Sequence, residues 1–384
     1  MLYIIKFFPT ISVYTLKIKR SEILMKSLFD TTELAGMTLK NRFIRSATYD
    51  GLSDEKGHIT KKTYELYENL AKGGVGTIIT GLTFVSDLEN TYPGQAGIYD
   101  DSFISEYNKL SDMVHSYNTN IIMQLVWNGT QAYADSNSSK TFWGPSSVED
   151  VAYKYMPSEM TEEEIVFVQK AFADAAYRAK KAGFDGVQIH AAHGYLLSKF
   201  LTPYYNRRTD QYGGNIENRS RIILETFKVI RDRVGLKYPI FIKINSEDFI
   251  EQGMSFDDCK YVCNKLAQMG IDAIEISGGC VSSPPTENVS RPKDQEQYYK
   301  KYATEIAQEN KVPVISVGGN RNIDSMIETI NTTDIEYVSL SRALICESDL
   351  INRWKEDSTP AKCISCNKCF SRGGTICIFN KGHI

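Results

Sequence analysis

The sequence predicts an α/β protein built as a closed parallel (β/α)8 barrel, the TIM-barrel class. Eight short apolar segments rich in β-branched residues alternate with amphipathic helical patterns along most of the 384 residues. Residues 183–189 and 270–276 repeat one helix-to-strand junction, which indicates equal structural units. The competing fold is a doubly wound open sheet, but no glycine-rich dinucleotide turn follows the first strand. The predicted strands are Phe43–Ala47, Val75–Thr80, Asn120–Val126, Gly186–His190, Ile240–Asn245, Ala273–Ser277, Val314–Val317 and Tyr337–Leu340.

Helix boundaries between these strands carry recognisable capping residues. One helix begins at Thr161, where Glu164 three residues later completes a capping box, and it ends at Gly183. A second helix begins at Ser255 and ends at Gly270. Both helices show apolar residues at helical spacing, so each is expected to pack one face on the barrel.

Both ends of the chain depart from the barrel pattern. Residues 28–42 read as a short hairpin turning at Gly36, which would close the amino-terminal mouth of the barrel. Residues 1–24 lack the basic start and small-residue cleavage site of a secretory signal, so translation starting at Met1 or at Met25 fits equally. We therefore expect an extension at 1–27, the barrel at 28–357 and a Cys-rich segment at 358–384.

Charge and composition exclude several classes of protein. Lys and Arg number 44 against 47 Asp and Glu, and no basic tract interleaved with aromatic residues predicts nucleic-acid binding. No apolar run approaches the roughly 20 residues needed to cross a bilayer, so no membrane partner is expected. The eight cysteines are partly dispersed and partly clustered, which favours a reducing, cytoplasmic location over a disulfide framework.

Candidate catalytic residues follow the fourth predicted strand. His190, His193 and Tyr195 lie within six residues, at the carboxyl end where barrels build active sites. Imidazoles can donate hydrogen bonds to a developing oxyanion, and a phenol can deliver a proton. The alternative is a structural histidine pair that fixes a loop.

A phosphate site is expected after the last two strands, where such barrels frequently hold phosphate. Gly318 and Gly319 follow the seventh strand and let backbone N–H groups approach an anion. Ser341 and Arg342 follow the eighth and supply a hydroxyl and a guanidinium. The alternative is a tight turn beside a surface arginine.

Two polar residues interrupt otherwise apolar strands. Lys243 lies within residues 240–244, and an uncompensated charge there would be costly, so it is expected to face a ligand or a carboxylate. Gln124, in the third strand, could read the polar edge of a heterocycle or serve as a satisfied core amide.

Residues 190–221 carry the most specific signature in the chain. The run HAAHGYLLSKFLTPYYNRRTDQYGGNIENRSR resembles the Old Yellow Enzyme family, NADH:flavin oxidoreductases that hold FMN in a (β/α)8 barrel. Matches in the same order at residues 41–43, 183–185 and 318–319 extend the resemblance to about residues 28–354. The resemblance implies FMN as cofactor.

The resemblance also implies a role for each matching position. His190 and His193 would bind the electron-withdrawing oxygen of the substrate, and Tyr195 would donate a proton. Gln124 and Lys243 would contact the flavin pyrimidine, where the cation stabilises the reduced ring. The remaining flavin contacts would be Ala47, Thr48 and Gly81 along the ring, and Gly318, Gly319, Ser341 and Arg342 at the phosphate. Tyr49 departs from the Thr or Cys that relatives often carry near the flavin, which puts the substrate range in doubt.

Four cysteines form a cluster near the end of the sequence. Cys363, Cys366 and Cys369 have C-x2-C-x2-C spacing and Cys377 follows, a set that suits an iron–sulfur cluster or zinc. The run resembles the cluster segment of the trimethylamine dehydrogenase and 2,4-dienoyl-CoA reductase branch, where the last gap is longer and a nucleotide-binding domain follows. The alternatives are a [4Fe-4S] cluster, zinc, or four reduced thiols.

The leading hypothesis is an FMN-dependent enzyme that uses NADH or NADPH to reduce the C=C bond of a small activated alkene, such as an enone or enoate. One alternative is a flavin/iron–sulfur dehydrogenase or demethylase of the trimethylamine dehydrogenase type that passes electrons to a partner. Another is a non-catalytic redox carrier or sensor that uses the cysteine segment. The sequence is compatible with a homo-oligomer.

Overall fold

A computed structural model of the chain confirms the predicted barrel. It describes residues 25–133, 140–288, 291, 295–371 and 374–380. Eight parallel strands pair in chain order, and the eighth pairs with the first, which closes the sheet. All eight predicted strands are present, with ends within two residues of those expected. They are Phe43–Arg45, Thr77–Ile79, Asn120–Val126, Gly186–Ala191, Ile240–Asn245, Ala273–Ser277, Val314–Ser316 and Tyr337–Leu340.

One helix follows each barrel strand and covers the outside of the sheet. These helices are Lys61–Lys72, Ile104–His115, Glu162–Lys181, Arg221–Val234, Phe256–Met269, Lys300–Glu309, Ile323–Thr332 and Arg342–Cys346. Shorter elements decorate the loops: helices Leu196–Leu201, Ile216–Arg219 and Leu350–Arg353, 3-10 turns Asp101–Phe103 and Ile378–Asn380, and strands Thr83–Phe84, Trp143–Gly144, Ser158–Glu159, Phe370–Ser371 and Gly374–Thr375.

The two predicted helix starts are capped as the sequence indicates. The Thr161 hydroxyl accepts from the Glu164 N–H at 3.2 Å, and the Glu164 carboxylate accepts from the Thr161 N–H at 2.8 Å. Ser255 forms the same box with Asp258, and Gly270 ends that helix in the left-handed conformation at φ 87°. Each cap stabilises its helix by about 1 kcal/mol and fixes where the following strand begins.

A hairpin closes the amino-terminal end of the barrel, as predicted. Its strands Thr32–Leu34 and Met37–Leu39 pair antiparallel around the turn at Gly36, whose φ is 82°. Their side chains form one apolar cluster with residues of seven barrel strands: Leu34, Met37, Leu39, Ile44, Ile79, Ile122, Phe241, Ala273, Ile315 and Tyr337. Because this layer is apolar, polar chemistry is confined to the opposite end.

The predicted extension at 1–27 lies outside the described residues except for 25–27, so its start and conformation remain predictions. Over the stretches that are described, no helix has both the length and the apolar character that crossing a membrane would require.

Candidate active site

A cavity opens at the carboxyl ends of the barrel strands and gathers nearly all the predicted site residues. The predicted residues that line it are Ala47, Thr48, Gln124, His190, His193, Tyr195, Lys243, Gly318, Gly319, Ser341 and Arg342. Gly81 is not in that lining. Its N–H donates to the Tyr67 hydroxyl at 2.8 Å, and a Cβ there would meet the Thr48 carbonyl at 3.0 Å. Gly81 therefore supports the cavity wall from behind.

The two histidines sit at right angles on one wall. Their ring centroids are 5.2 Å apart with an interplanar angle of 86°. His193 Nε2 lies 2.7 Å from the Ser277 hydroxyl, and its backbone N–H donates to Asn245 at 3.1 Å. Because these contacts hold His193 at φ 63°, a left-handed conformation that most residues avoid, the ring has a fixed place in the wall.

Both imidazoles are neutral near pH 7. Burial, reinforced by the nearby Lys243 cation, lowers the pKa of His193 to about 3. Burial also lowers the pKa of His190 well below its usual value, with His193 and Lys243 adding to the effect. Buried His190 Nδ1 has no hydrogen-bond partner within the described part of the chain. The pair is thus suited to donate hydrogen bonds to a ligand oxygen without carrying charge.

Tyr195 completes this wall. Its ring centroid lies 4.6 Å from that of His190, and the side chain is 8% exposed. Burial raises the pKa of its phenol, so the hydroxyl stays protonated at neutral pH. Tyr49, the residue that departs from the family pattern, also lines the cavity, and its hydroxyl donates to the Pro93 carbonyl.

Lys243 both lines the cavity and forms a buried ion pair. Its Nζ lies 3.3 Å from a carboxylate oxygen of Glu275 and donates to the Ser46 hydroxyl at 2.8 Å. Glu275 also accepts from Ser46, Ser339 and Gln188 at 2.7–2.8 Å. Because every lone-pair direction has a donor, this charged layer is tolerated inside the barrel.

Gln124 extends the same layer. Its amide donates to the Gln188 side-chain oxygen at 2.8 Å, and Gln188 donates to Glu275 at 2.8 Å. The amide is thus satisfied in the core, and the side chain also lines the cavity, while its contact with a heterocycle stays a prediction.

The glycine turn after the seventh strand leaves room for an anion. Gly318 has φ 112° and Gly319 has φ 73°, and a Cβ on either would come within 2.8 Å of the Tyr298 ring. Opposite these glycines, the Arg342 guanidinium donates to the Tyr298 hydroxyl at 3.2 Å. The Ser341 hydroxyl lies 2.8 Å from the Thr48 hydroxyl. Only glycine fits this turn, so its N–H groups can face a phosphate.

These residues fit FMN. The cradle of Gly318 and Gly319 with Arg342 suits a phosphate, Lys243 suits the electron-rich edge of a flavin, and Gln124 suits its polar heterocycle. Asn320 lines the same cavity, and its buried side-chain oxygen has no partner among the described residues. A buried acceptor at that position favours a ligand that carries a hydrogen-bond donor.

The cysteine segment lies directly beside this cavity. Cys363, Cys366, Cys369 and Cys377 line one small cavity together with Arg342, and Cys363 also lines the large one. At their present positions, no three Cys, His, Asp or Glu side chains of the described chain form a metal-binding group. Thiolates are the ligands that iron–sulfur clusters and structural zinc both use in proteins.

Several site residues were missed from the sequence. Glu275 and Gln188 lie inside apolar strands, where their alternation with apolar neighbours was the available signal. Buried Arg321, which is paired with Glu296 at 3.2 Å, and Tyr298 line the phosphate side. Cys346 lies outside the cysteine cluster in the sequence, but in the structure it packs against Cys363 and Cys377.

The fold and the site together define a (β/α)8-barrel protein with a phosphate cradle and a neutral imidazole pair at the carboxyl end of its strands. The chain belongs to the NADH:flavin oxidoreductase / NADH oxidase family, whose model matches residues 27–359. This membership confirms the family resemblance that residues 190–221 indicate.

Individual relatives agree with this assignment. The chain is 32% identical over 350 residues to the NADH oxidase of Thermoanaerobacter brockii, covering 89% of this chain and 53% of the relative. It is 30% identical over 376 residues to the cinnamate reductase of Clostridium sporogenes, and the match covers 90% of this chain and 56% of the relative. It thus spans about half the length of these relatives. A solved 2-naphthoyl-CoA reductase complex shares the fold at a TM-score of 0.81 and 26% identity, covering 87% of this chain and 53% of that one.

Proposed function

We propose that this protein uses NADH or NADPH and bound FMN to reduce the C=C bond of a small activated alkene, such as an enone or enoate. The observation that carries the proposal is the convergence of two neutral imidazoles and one protonated phenol on the cavity that Lys243 also lines. When bound, FMN accepts a hydride from the nicotinamide and returns one to the β-carbon of the substrate.

In this proposal the histidines bind the activating oxygen of the substrate. His190 and His193 each donate a hydrogen bond to it, and the negative charge on that oxygen grows as the β-carbon is reduced. The neutral state of the two imidazoles matters, because a neutral imidazole is a weak acid. It donates a hydrogen bond to the substrate oxygen without giving up its proton. The contact between His193 and Ser277 at 2.7 Å keeps the ring aimed before the substrate arrives.

Tyr195 acts as the general acid that protonates the α-carbon. Its raised pKa keeps the proton on the phenol until carbanion character develops beside it. Lys243 stays close to the flavin position and, held by Glu275, offsets negative charge there.

The first test is the absorption spectrum of protein purified without oxygen, with identification of the released cofactor. FMN is expected, and a colourless protein that cannot be reconstituted with FMN would contradict the proposal. Stopped-flow measurements then separate flavin reduction by NADH or NADPH from flavin reoxidation by 2-cyclohexen-1-one.

The decisive variant is Tyr195→Phe. It should slow reoxidation by about 100-fold and leave flavin reduction within about twofold, because the proton is needed only in the second step. Tyr99→Phe is the matched control, since its hydroxyl donates to the Lys56 carbonyl at 3.1 Å, far along the chain from the catalytic wall. Equal losses in both half-reactions would remove the proton donor from the mechanism.

A second function is favoured by one observation. Cys363 and Ser365 line the flavin cavity, while the four cysteines share the adjoining one. A [4Fe-4S] cluster there would let electrons leave the flavin for a partner, as in a dehydrogenase or demethylase. Iron and acid-labile sulfide in the purified protein, with amine-dependent flavin reduction, would support this function; zinc or no metal would contradict it.

A further inference from the structure

Three phenol hydroxyls form a chain that starts at Tyr195 and leads away from the cavity. Tyr92 packs against the apolar cluster that contains Tyr195, and its hydroxyl lowers the pKa of the Tyr195 phenol as a hydrogen-bonding neighbour. On its other side, the Tyr92 hydroxyl lies 2.9 Å from that of Tyr153. Tyr92 therefore lies between the other two phenols. Such a continuous line of O–H groups can pass a proton from one end to the other.

The loops that carry this chain are fixed by other hydrogen bonds. The Tyr92 N–H donates to the Gln95 side chain at 3.0 Å, and the Tyr153 N–H donates to Asp150 at 2.8 Å. Asp150 is itself a buried carboxylate paired with Lys199. The two outer phenols are consequently held in place before any substrate binds.

The outer end of the chain approaches solvent. Tyr195 is buried, Tyr92 and Tyr153 are half-buried, and Tyr133, whose ring centroid is 6.4 Å from that of Tyr153, is 55% exposed. A substrate above Tyr195 would cover its hydroxyl on the cavity side, so protons from water have to arrive from the other side.

We propose that Tyr92 and Tyr153 form a proton relay that resupplies Tyr195 during alkene reduction. The inference rests on the proposed function, in which Tyr195 is the proton donor. As the Tyr195 O–H bond breaks and the new C–H bond forms at the α-carbon, Tyr92 passes its proton to Tyr195. Tyr153 passes its own proton to Tyr92, and water protonates Tyr153. One proton moves from solvent to product, and the relay transfers no electrons.

The relay answers an electrostatic problem at Tyr195. Burial raises the pKa of this phenol, so a phenolate left at the same place would be strongly destabilised. A hydroxyl that donates to the developing phenolate lowers that cost, and proton transfer along the whole chain carries the charge to the half-buried Tyr153.

The test measures reoxidation of the reduced, FMN-loaded enzyme by 2-cyclohexen-1-one in mixtures of H2O and D2O. Tyr92→Phe and Tyr153→Phe remove one hydroxyl each and should slow reoxidation by about 10-fold, without changing flavin reduction. The wild-type rate should depend on deuterium fraction along a curve, because several protons move together. Tyr92→Phe should give a straight line, because only the Tyr195 proton still moves, whereas Tyr153→Phe should keep a curve, because Tyr92 still passes its proton to Tyr195.

The double variant Tyr92→Phe/Tyr195→Phe should match Tyr195→Phe alone, because the relay acts only through that phenol. Wild-type rates in Tyr92→Phe and Tyr153→Phe, with Tyr195→Phe slow, would overturn the relay and leave the proton donor in place. A wild-type rate in Tyr195→Phe would overturn both. A double variant slower than Tyr195→Phe would show that Tyr92 acts by packing, and Tyr99→Phe provides the baseline for loss of an unrelated hydroxyl.

Discussion

Replacing Lys243 by Met should destabilise the protein strongly, because it leaves Glu275 as a carboxylate inside the barrel without its cation. The Nζ of Lys243 lies 3.3 Å from Glu275, and the two side chains are 3% and 0% exposed. Met fills nearly the same volume, so the loss reports charge rather than a cavity.

The geometry sets the size of the effect. At 3.3 Å and an effective dielectric constant of about 20, the pair interacts by roughly 5 kcal/mol. Removing one member of a buried pair typically costs about 3–5 kcal/mol. The control is Lys61→Met, whose ion pair with Glu65 spans 3.4 Å with side chains 91% and 54% exposed. That exposed pair should contribute less than about 1 kcal/mol.

Urea unfolding of the FMN-free protein, followed by far-ultraviolet circular dichroism, measures both variants. Lys243→Met should unfold at a clearly lower urea concentration, whereas Lys61→Met should unfold with the wild type. The double variant Lys243→Met/Glu275→Gln removes both charges and should recover part of the loss. Equal midpoints for the two single lysine variants would refute the reasoning, and so would a double variant less stable than Lys243→Met.

Three further predictions concern pH, the phosphate cradle and a second buried pair. The folded-state pKa of His193, about 3, lies below its unfolded value, so its contribution to stability is present above about pH 6.5 and is lost as the pH falls towards 3. Urea unfolding at several pH values should show that the unfolding free energy changes by up to about 1.4 kcal/mol per pH unit in that window. This pH dependence should be weaker in His193→Asn, and a variant with the same slope as the wild type would contradict the prediction. Gly318→Ala should weaken FMN binding at least about 10-fold by flavin fluorescence, whereas Gly214→Ala, also at positive φ but with open space around its Cβ, should bind FMN normally. Lys199→Met leaves the buried Asp150 carboxylate unpaired and should lower the unfolding free energy by about 3–5 kcal/mol in urea, and a loss below about 1 kcal/mol would contradict the pairing.

The sequence was sufficient for the barrel because its signals are local. Each strand is a short apolar run, and the helix ends at Thr161, Gly183, Ser255 and Gly270 depend on residues within one turn. The candidate wall of His190, His193 and Tyr195 was visible for the same reason, since all three follow one strand within six residues. The hairpin at Gly36 was equally local.

Only the tertiary structure placed residues that meet across the barrel. Glu275 receives donors from Ser46, Gln188, Lys243 and Ser339, which belong to four other strands or their ends. Strands buried on both faces carry apolar residues on both sides, so the pattern along one strand does not say which side points inward.

The same limit explains the remaining differences. Cys346 joins the cysteine segment and Gly81 supports the cavity wall from behind because of how distant segments pack, which no local pattern records. The phenol chain of Tyr92, Tyr153 and Tyr195 likewise brings together three separate loops. The sequence by itself determined the strands, the caps and one candidate catalytic loop, whose interactions span a few residues. Closure of the barrel decided the charged interior and the grouping of the three phenols, because those contacts exist only once segments far apart in the chain become neighbours.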